Sequence, residues 1–139
     1  MYGKYTHNVD AKGRLFVPSK LREKLGERFY VMIGLENSLL VYPEERWETI
    51  SESFKAVKLN SVGKLRILMA NVAVCEPDKQ GRFLIPPVLR KYARLENEVI
   101  FIGVNDHAEI WNAADYEAKE ASFLASDEGL SAVLTELDL

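Results

Sequence analysis

The sequence predicts an α+β fold: two copies of one β-β-α-β-β unit, packed about a pseudo-two-fold axis, with further helices at the edges. Three observations predict it, namely an internal repeat, short segments of alternating apolar residues, and turn residues at matching places in both copies. Setting residues 10–22 against residues 78–90, at a spacing of 68, pairs Asp10 with Asp78, Gly13 with Gly81, Arg14 with Arg82, Pro18 with Pro86, Leu21 with Leu89 and Arg22 with Arg90. Six identities in thirteen positions exceed chance. After a one-residue slip the match continues, with Gly34 on Gly103, Val41-Tyr42 on Ile110-Trp111 and Trp47 on Tyr116.

Each element of the unit has a local reason. Tyr5, His7 and Val9 alternate with Lys4, Thr6 and Asn8, the period of a half-buried strand. In Asp10-Ala11-Lys12-Gly13 the Asp carboxylate bonds to the backbone ahead and Gly13 supplies a positive φ, so the chain reverses there. Residues 14–17 return as a strand. Pro18 suits the first turn of a helix that runs to Leu25 and ends at Gly26. Residues 29–33 and 39–42 form an apolar hairpin around Gly34-Leu35-Glu36-Asn37, and Pro43 opens an amphipathic helix to about Val57. The second copy repeats the order: strand 72–76, turn Asp78-Lys79-Gln80-Gly81, strand 82–85, a helix from Pro86 and a hairpin turning about residues 103–106. Helices over about 113–125 and 127–137 close the chain. The expected division is a first unit over residues 1–57, a linking helix within 58–70 that starts near Ser61, a second unit over 71–125 and an acidic helical tail over 126–139.

Composition excludes several classes. The chain has 139 residues, 47% of them hydrophobic, enough for a real core. No stretch approaches the roughly 20 uninterrupted apolar residues of a membrane helix, and the N-terminus lacks a signal-peptide layout, so a cytoplasmic protein is expected. The single Cys75 excludes an internal disulfide, and with only His7 and His107 beside it there is no zinc spacing, so neither metal nor cofactor is expected. Cys75 lies in an apolar run and reads as packing. No Gly-rich phosphate loop or nucleophile elbow is present, which argues against an enzyme or a small-molecule substrate. The net charge of −3 hides an asymmetry: residues 1–28 carry seven basic and three acidic groups, residues 109–139 one basic and eight acidic. A basic head of this kind suits a nucleic-acid-binding face.

A unit this short cannot bury both faces of its sheets alone, so the hairpins of one copy should complete the sheet of the other. The strings Asp10-Ala-Lys-Gly-Arg14-Leu-Phe-Val-Pro18, Val41-Tyr42-Pro43 with Trp47, Asp78-Lys-Gln-Gly-Arg82-Phe-Leu-Ile-Pro86, and Ile102-Gly103 through Glu109-Ile110-Trp111 resemble the signatures of the MraZ family. The resemblance runs from Met1 to about Tyr116. It implies two tandem swapped-hairpin domains of the AbrB/SpoVT kind, each with a D-x-x-x-R motif. It further implies a sequence-specific transcriptional regulator, acting as a repressor or an activator, that binds short promoter repeats in double-stranded DNA ahead of the division and cell-wall genes. Assembly into a ring of identical subunits and association with the nucleoid are implied as well.

The motif residues fit this chemistry. Asp10 and Arg14 flank a tight turn, where an ion pair fixes the turn and still leaves guanidinium donors free for guanine O6 and N7. Within the family the first-motif Arg is tied to DNA binding, which falls here on Arg14, with Arg82 as its counterpart. Lys12 at the tip suits a phosphate, as does Lys79 in the second turn, and of the basic residues Lys20, Arg22, Lys24 and Arg28 one or two, Arg22 first, extend the surface. Asp10, Gly13, Asp78 and Gly81 are the structural members of the turns. Trp47, Trp111 and Tyr116 read as core or subunit-interface residues and His107 as a strand-end hydrogen-bonding group. The apolar linking helix suits packing between subunits. The competing reading is a ring-forming scaffold for another protein, docked through the acidic tail, with the Asp-Arg pairs only holding turns; an antitoxin-like regulator is a third.

Overall fold

The computed structural model describes residues 1–58 and 62–139. Its centre is a six-stranded antiparallel sheet to which both halves of the chain contribute. In chain order the strands are β1 (Lys4–Asn8), β2 (Arg14–Phe16), β3 (Phe29–Ile33), β4 (Leu39–Pro43), β5 (Ala73–Cys75), β6 (Arg82–Leu84), β7 (Glu98–Val104) and β8 (His107–Asn112). The large sheet runs β1-β7-β8-β4-β3-β5, and β2 with β6 forms a separate two-stranded ladder. Hence β1 of the first half pairs with the hairpin of the second, and β5 of the second pairs with the hairpin of the first. The two hairpins meet where β4 pairs with β8. This is the exchange of hairpins that the repeat predicts, and it makes the halves inseparable in space.

The alternation of side chains along β3 shows the layering. Phe29 meets Phe83 of the ladder edge to face at 5.0 Å between ring centroids, while its neighbour Tyr30 stacks on Trp47 at 4.8 Å. Trp47 belongs to α2 (Glu44–Ser53). The ladder therefore covers one face of the sheet and α2 the other. The same holds in the second half, where Phe101 faces Phe83 and Trp111 contacts Tyr116 of α5 (Ala113–Leu124). On the ladder side the core is closed by Leu21 and by two short helices, through Leu25 of α1 (Arg22–Leu25) and Leu89 and Ala93 of α4 (Pro87–Ala93). Leu15 and Phe83, each at most 3% exposed, fill the space under the ladder.

Two further helices complete the described residues: α3 (Val62–Ala70) between the halves and α6 (Asp127–Glu136), which packs on α5. The expected start of the linking helix at Ser61 lies outside the described residues. Asn112 and Ser126 cap α5 and α6 by accepting from the amides of Asp115 and Gly129. None of the described helices is long and apolar enough to cross a membrane.

Three local expectations change. The first helix is broken into a 3-10 turn, Ser19–Leu21, followed by the single α turn of α1; Pro18 stands before it at φ −54° and ψ 131° rather than inside it. The helix after Pro43 ends its α part at Ser53 and finishes as a 3-10 turn, Phe54–Ala56. The second hairpin turns at Asn105-Asp106, with Asn105 at φ 66°, and Gly103 is a strand residue. Gly103 is small for another reason. A Cβ there would stand 2.5 Å from the Tyr2 backbone nitrogen, because the N-terminus crosses over it.

Candidate nucleic-acid interface

The two D-x-x-x-R turns are built alike. Asp10 Oδ1 accepts from the amides of Lys12 and Arg14, both at 2.9 Å, and Oδ2 takes the Arg14 Nε at 2.7 Å. Asp78 does the same with the amides of Gln80 and Arg82, at 2.9 Å each, and with the Arg82 Nε at 3.0 Å. Gly13 and Gly81 close the turns at φ +83° and +84°, a region that a side chain resists. The Arg14 amide, then the Arg14 guanidinium and the Lys12 amide, hold the Asp10 carboxyl below its ordinary value. Asp78 is lowered in the same way by the Arg82 amide, the Arg82 guanidinium and the Gln80 amide. Both arginines are engaged through Nε, so the terminal nitrogens of each fork make no hydrogen bond among the described residues.

The ladder sets the turns in register with each other. Arg14 stands opposite Leu84, and Phe16 opposite Arg82. Since Leu15 and Phe83 point inward, the outward face carries Arg14, Phe16, Arg82 and Leu84, two arginines on a diagonal with two exposed apolar side chains between them. Beyond the ladder each turn is tied to the other half. The Val17 amide donates to the Gly81 carbonyl at 2.9 Å and the Ile85 amide to the Gly13 carbonyl at 3.0 Å.

Arg22 and Arg90, paired in the repeat, complete that tie. The Arg22 Nε donates to the Val17 carbonyl at 3.1 Å, and its guanidinium lies where a Cβ on Gly81 would be, 2.7 Å from Nη2. Arg90 donates to Ile85 at 2.9 Å and lies over Gly13. Arg22 therefore stands at the second turn, with a structural contact as well as an exposed surface. Sequence reasoning missed Arg90, although the repeat had already aligned it with Arg22. It also missed the outward Phe16 and Leu84, which the alternation about Leu15 and Phe83 signals.

The other candidates fall as follows. Lys12 and Lys79 are exposed at the turns, with no ion pair among the described residues. Lys20 and Lys24 are exposed, and Arg28 is held by Glu44 at 3.7 Å and Glu76 at 4.0 Å and lies over the Tyr30 ring. Trp111 is 7% exposed, and Trp47 and Tyr116 are half-buried, so these aromatics pack rather than project. His107 binds Asp106 at 2.8 Å beside the second hairpin turn. Cys75 is buried, and burial pushes its thiol up to about 12. Among the described residues no group of His, Cys, Asp or Glu is placed to hold a metal ion.

Fold and turns together define a class: an α+β protein of two interleaved, pseudo-symmetric β-rich units that brings two Asp-Arg turns onto one exposed ladder. Comparison with known proteins narrows the class. The family model described as "MraZ protein, putative antitoxin-like" matches residues 1–65 and 68–137. A protein named transcriptional regulator MraZ from Carboxydothermus hydrogenoformans is 45% identical over 113 residues, 79% of each chain. One of the same name from Lachnoclostridium phytofermentans is 46% identical over 118 residues, 84% of each chain. Another from Thermoanaerobacter sp. strain X514 is 40% identical, covering 100% of this chain and 99% of the relative. The chain belongs to the MraZ family. A family whose curated members are named transcriptional regulators places it outside the enzymes.

Proposed function

We propose that this chain is a sequence-specific DNA-binding transcriptional regulator that inserts the β2–β6 ladder into the major groove. One observation carries the reading: the outward face of the ladder presents Arg14 and Arg82 on a diagonal, each held by its Asp through Nε with its terminal nitrogens making no hydrogen bond among the described residues. A two-stranded ribbon fits the width of the major groove, and an Arg fork oriented by a carboxylate matches guanine O6 and N7. Phe16 and Leu84 between the arginines suit the methyl groups of thymine. Lys12, Lys79 and Arg22 border the ladder and contact phosphates, while Asp10, Gly13, Asp78 and Gly81 hold the turns.

The targets in this reading are short promoter repeats ahead of division and cell-wall genes, and the protein acts in the cytoplasm at the nucleoid. Assembly of identical subunits into a ring would repeat the ladder, so that weak single contacts combine. The acidic α5 keeps its charge away from the DNA in this reading, since it packs across the sheet from the ladder. Functionally the chain divides into a first unit over 1–57, a linker over 58–70, a second unit over 71–125 and a tail over 126–139.

One observation favours the second reading, a ring-forming protein-interaction scaffold. Leu130, Val133 and Leu134 of α6 and Leu137 at its C-cap are exposed at spacings that share a helix face. A binding titration separates the two. Duplex DNA from in front of the protein's own gene and a shuffled duplex of equal composition are each titrated at several salt concentrations. Preference for the native duplex, weakening with salt, supports the regulator; equal or absent binding overturns it in favour of the scaffold.

A further inference from the structure

The pseudo-two-fold axis relates two clefts, one beside each turn, and their charges are opposite. The cleft beside the first turn, about 550 Å3, lies between Asp10-Ala11 and α4 of the second half; its charged residues are Arg90, Lys91 and Arg94 against Asp10 and Glu96. The cleft beside the second turn, about 720 Å3, lies between Asp78-Lys79 and α1 of the first half; there Arg22 and Lys79 face Glu23, Glu27, Glu76 and Asp78. Asp10 and Asp78 are each paired with their own turn arginine, so they do not separate the two sites. The difference lies in the repeat positions around them. Glu23 occupies the place of Lys91, and Glu27 that of Leu95.

We infer that the two halves are unequal on DNA. The phosphate backbone is gripped more strongly over the first turn and α4 of the second half, with Lys91 as a phosphate-binding residue, while beside the second turn Glu23 and Glu27 weaken the phosphate contacts of Lys79 and Arg22. The inference rests on the DNA-binding reading above. Within the favoured cleft the arginines have other work: Arg90 donates to the Ile85 carbonyl, and Arg94 donates to Asn37 Oδ1 at 2.8 Å and faces Asp115 at 3.5 Å. Lys91 is exposed, and its ammonium makes no ion pair or hydrogen bond among the described residues. An ammonium on a flexible stem is a strong point charge for phosphate and reads no base. A DNA-contacting unit is thus composite, with the Arg14 turn from one half and the backbone clamp from the other. Glu23, at the equivalent place beside the second turn, repels the phosphate that would lie there.

The test is a pair of charge exchanges in the full chain, Lys91→Glu and Glu23→Lys, with Lys91→Arg as a conservative control. Binding to the native and the shuffled duplex is measured against salt, and assembly mass by light scattering. Loss of one phosphate contact lowers the slope of log affinity on log salt by about one. Lys91→Glu is expected to weaken both duplexes on the order of ten-fold at unchanged mass, with Lys91→Arg restoring binding and Glu23→Lys leaving it unchanged or tighter. Binding by Lys91→Glu equal to wild type overturns the inference and leaves the DNA-binding reading standing. A loss that comes with a smaller assembly also overturns it, because Lys91 then acts between copies. If the wild type binds neither duplex, the DNA-binding reading falls and the inference falls with it.

Discussion

Arg90 lies so close over Gly13, in the opposite half of the repeat, that a Cβ on Gly13 would stand 2.5 Å from the Arg90 Cζ. Gly13 also sits at φ +83°. Gly13→Ala is therefore expected to destabilise the protein by about 2 kcal/mol or more, through the strained backbone and the displaced guanidinium together. Urea denaturation measures it. In the double variant Gly13→Ala/Arg90→Ala the displacement has no object, so the combined loss falls short of the sum of the single losses. Simple additivity would mean that the contact between the halves carries no energy.

Acid should weaken the two turns. The carboxyls of Asp10 and Asp78 are lowered first by the backbone amides of Arg14 and Arg82. A group whose folded value lies below its unfolded value contributes stability that is complete above the unfolded value. That contribution disappears as pH falls through the folded one. The stability difference between wild type and Asp10→Asn is expected to be present at pH 7 and to shrink as pH falls below about 4. A difference that stayed constant down to pH 2 would show that the charge of Asp10 plays no part.

Cys75 is predicted to be inert in the folded protein. Burial raises its thiol to about 12, which leaves almost no thiolate at neutral pH. A disulfide reagent should react with it only after denaturant is added. Stoichiometric reaction of the native chain would contradict the buried position.

Trp47 acts through packing on Tyr30, with ring planes 8° apart and a further contact to Phe54. Because the residue is half-buried, Trp47→Ala is expected to remove about 2–3 kcal/mol of stability, below the range for fully buried aromatics. Its DNA affinity at 25 °C should match wild type, since the residue lies across the sheet from the ladder. Weaker DNA binding by a folded Trp47→Ala would place the aromatic in the interface.

The exchange of hairpins was legible because an internal repeat of units too small to fold alone leaves few other ways to bury their sheets. The turn chemistry was legible because Asp10, Gly13 and Arg14 act within five residues of one another. What escaped reading were contacts made across the repeat. Arg22 on Gly81 and Arg90 on Gly13 join residues about 60 to 80 positions apart, and no local pattern announces them. Gly103 misled for a similar reason: a glycine near a hairpin signals a turn, yet this one makes room for the backbone of Tyr2. The break in the first helix follows from its length, since the segment between Pro18 and Gly26 has only two turns to divide between 3-10 and α geometry.

The most direct test of the central claim is salt-titrated binding of wild type and Arg14→Ala to duplex DNA from in front of the protein's own gene, with assembly mass followed by light scattering. The ladder reading predicts that Arg14→Ala keeps its mass and loses its preference for the native over the shuffled duplex. A variant that keeps both its mass and its preference, or one that loses its assembly along with its binding, would contradict the assignment of Arg14 to DNA and leave the Asp10-Arg14 pair as a fastening of the turn.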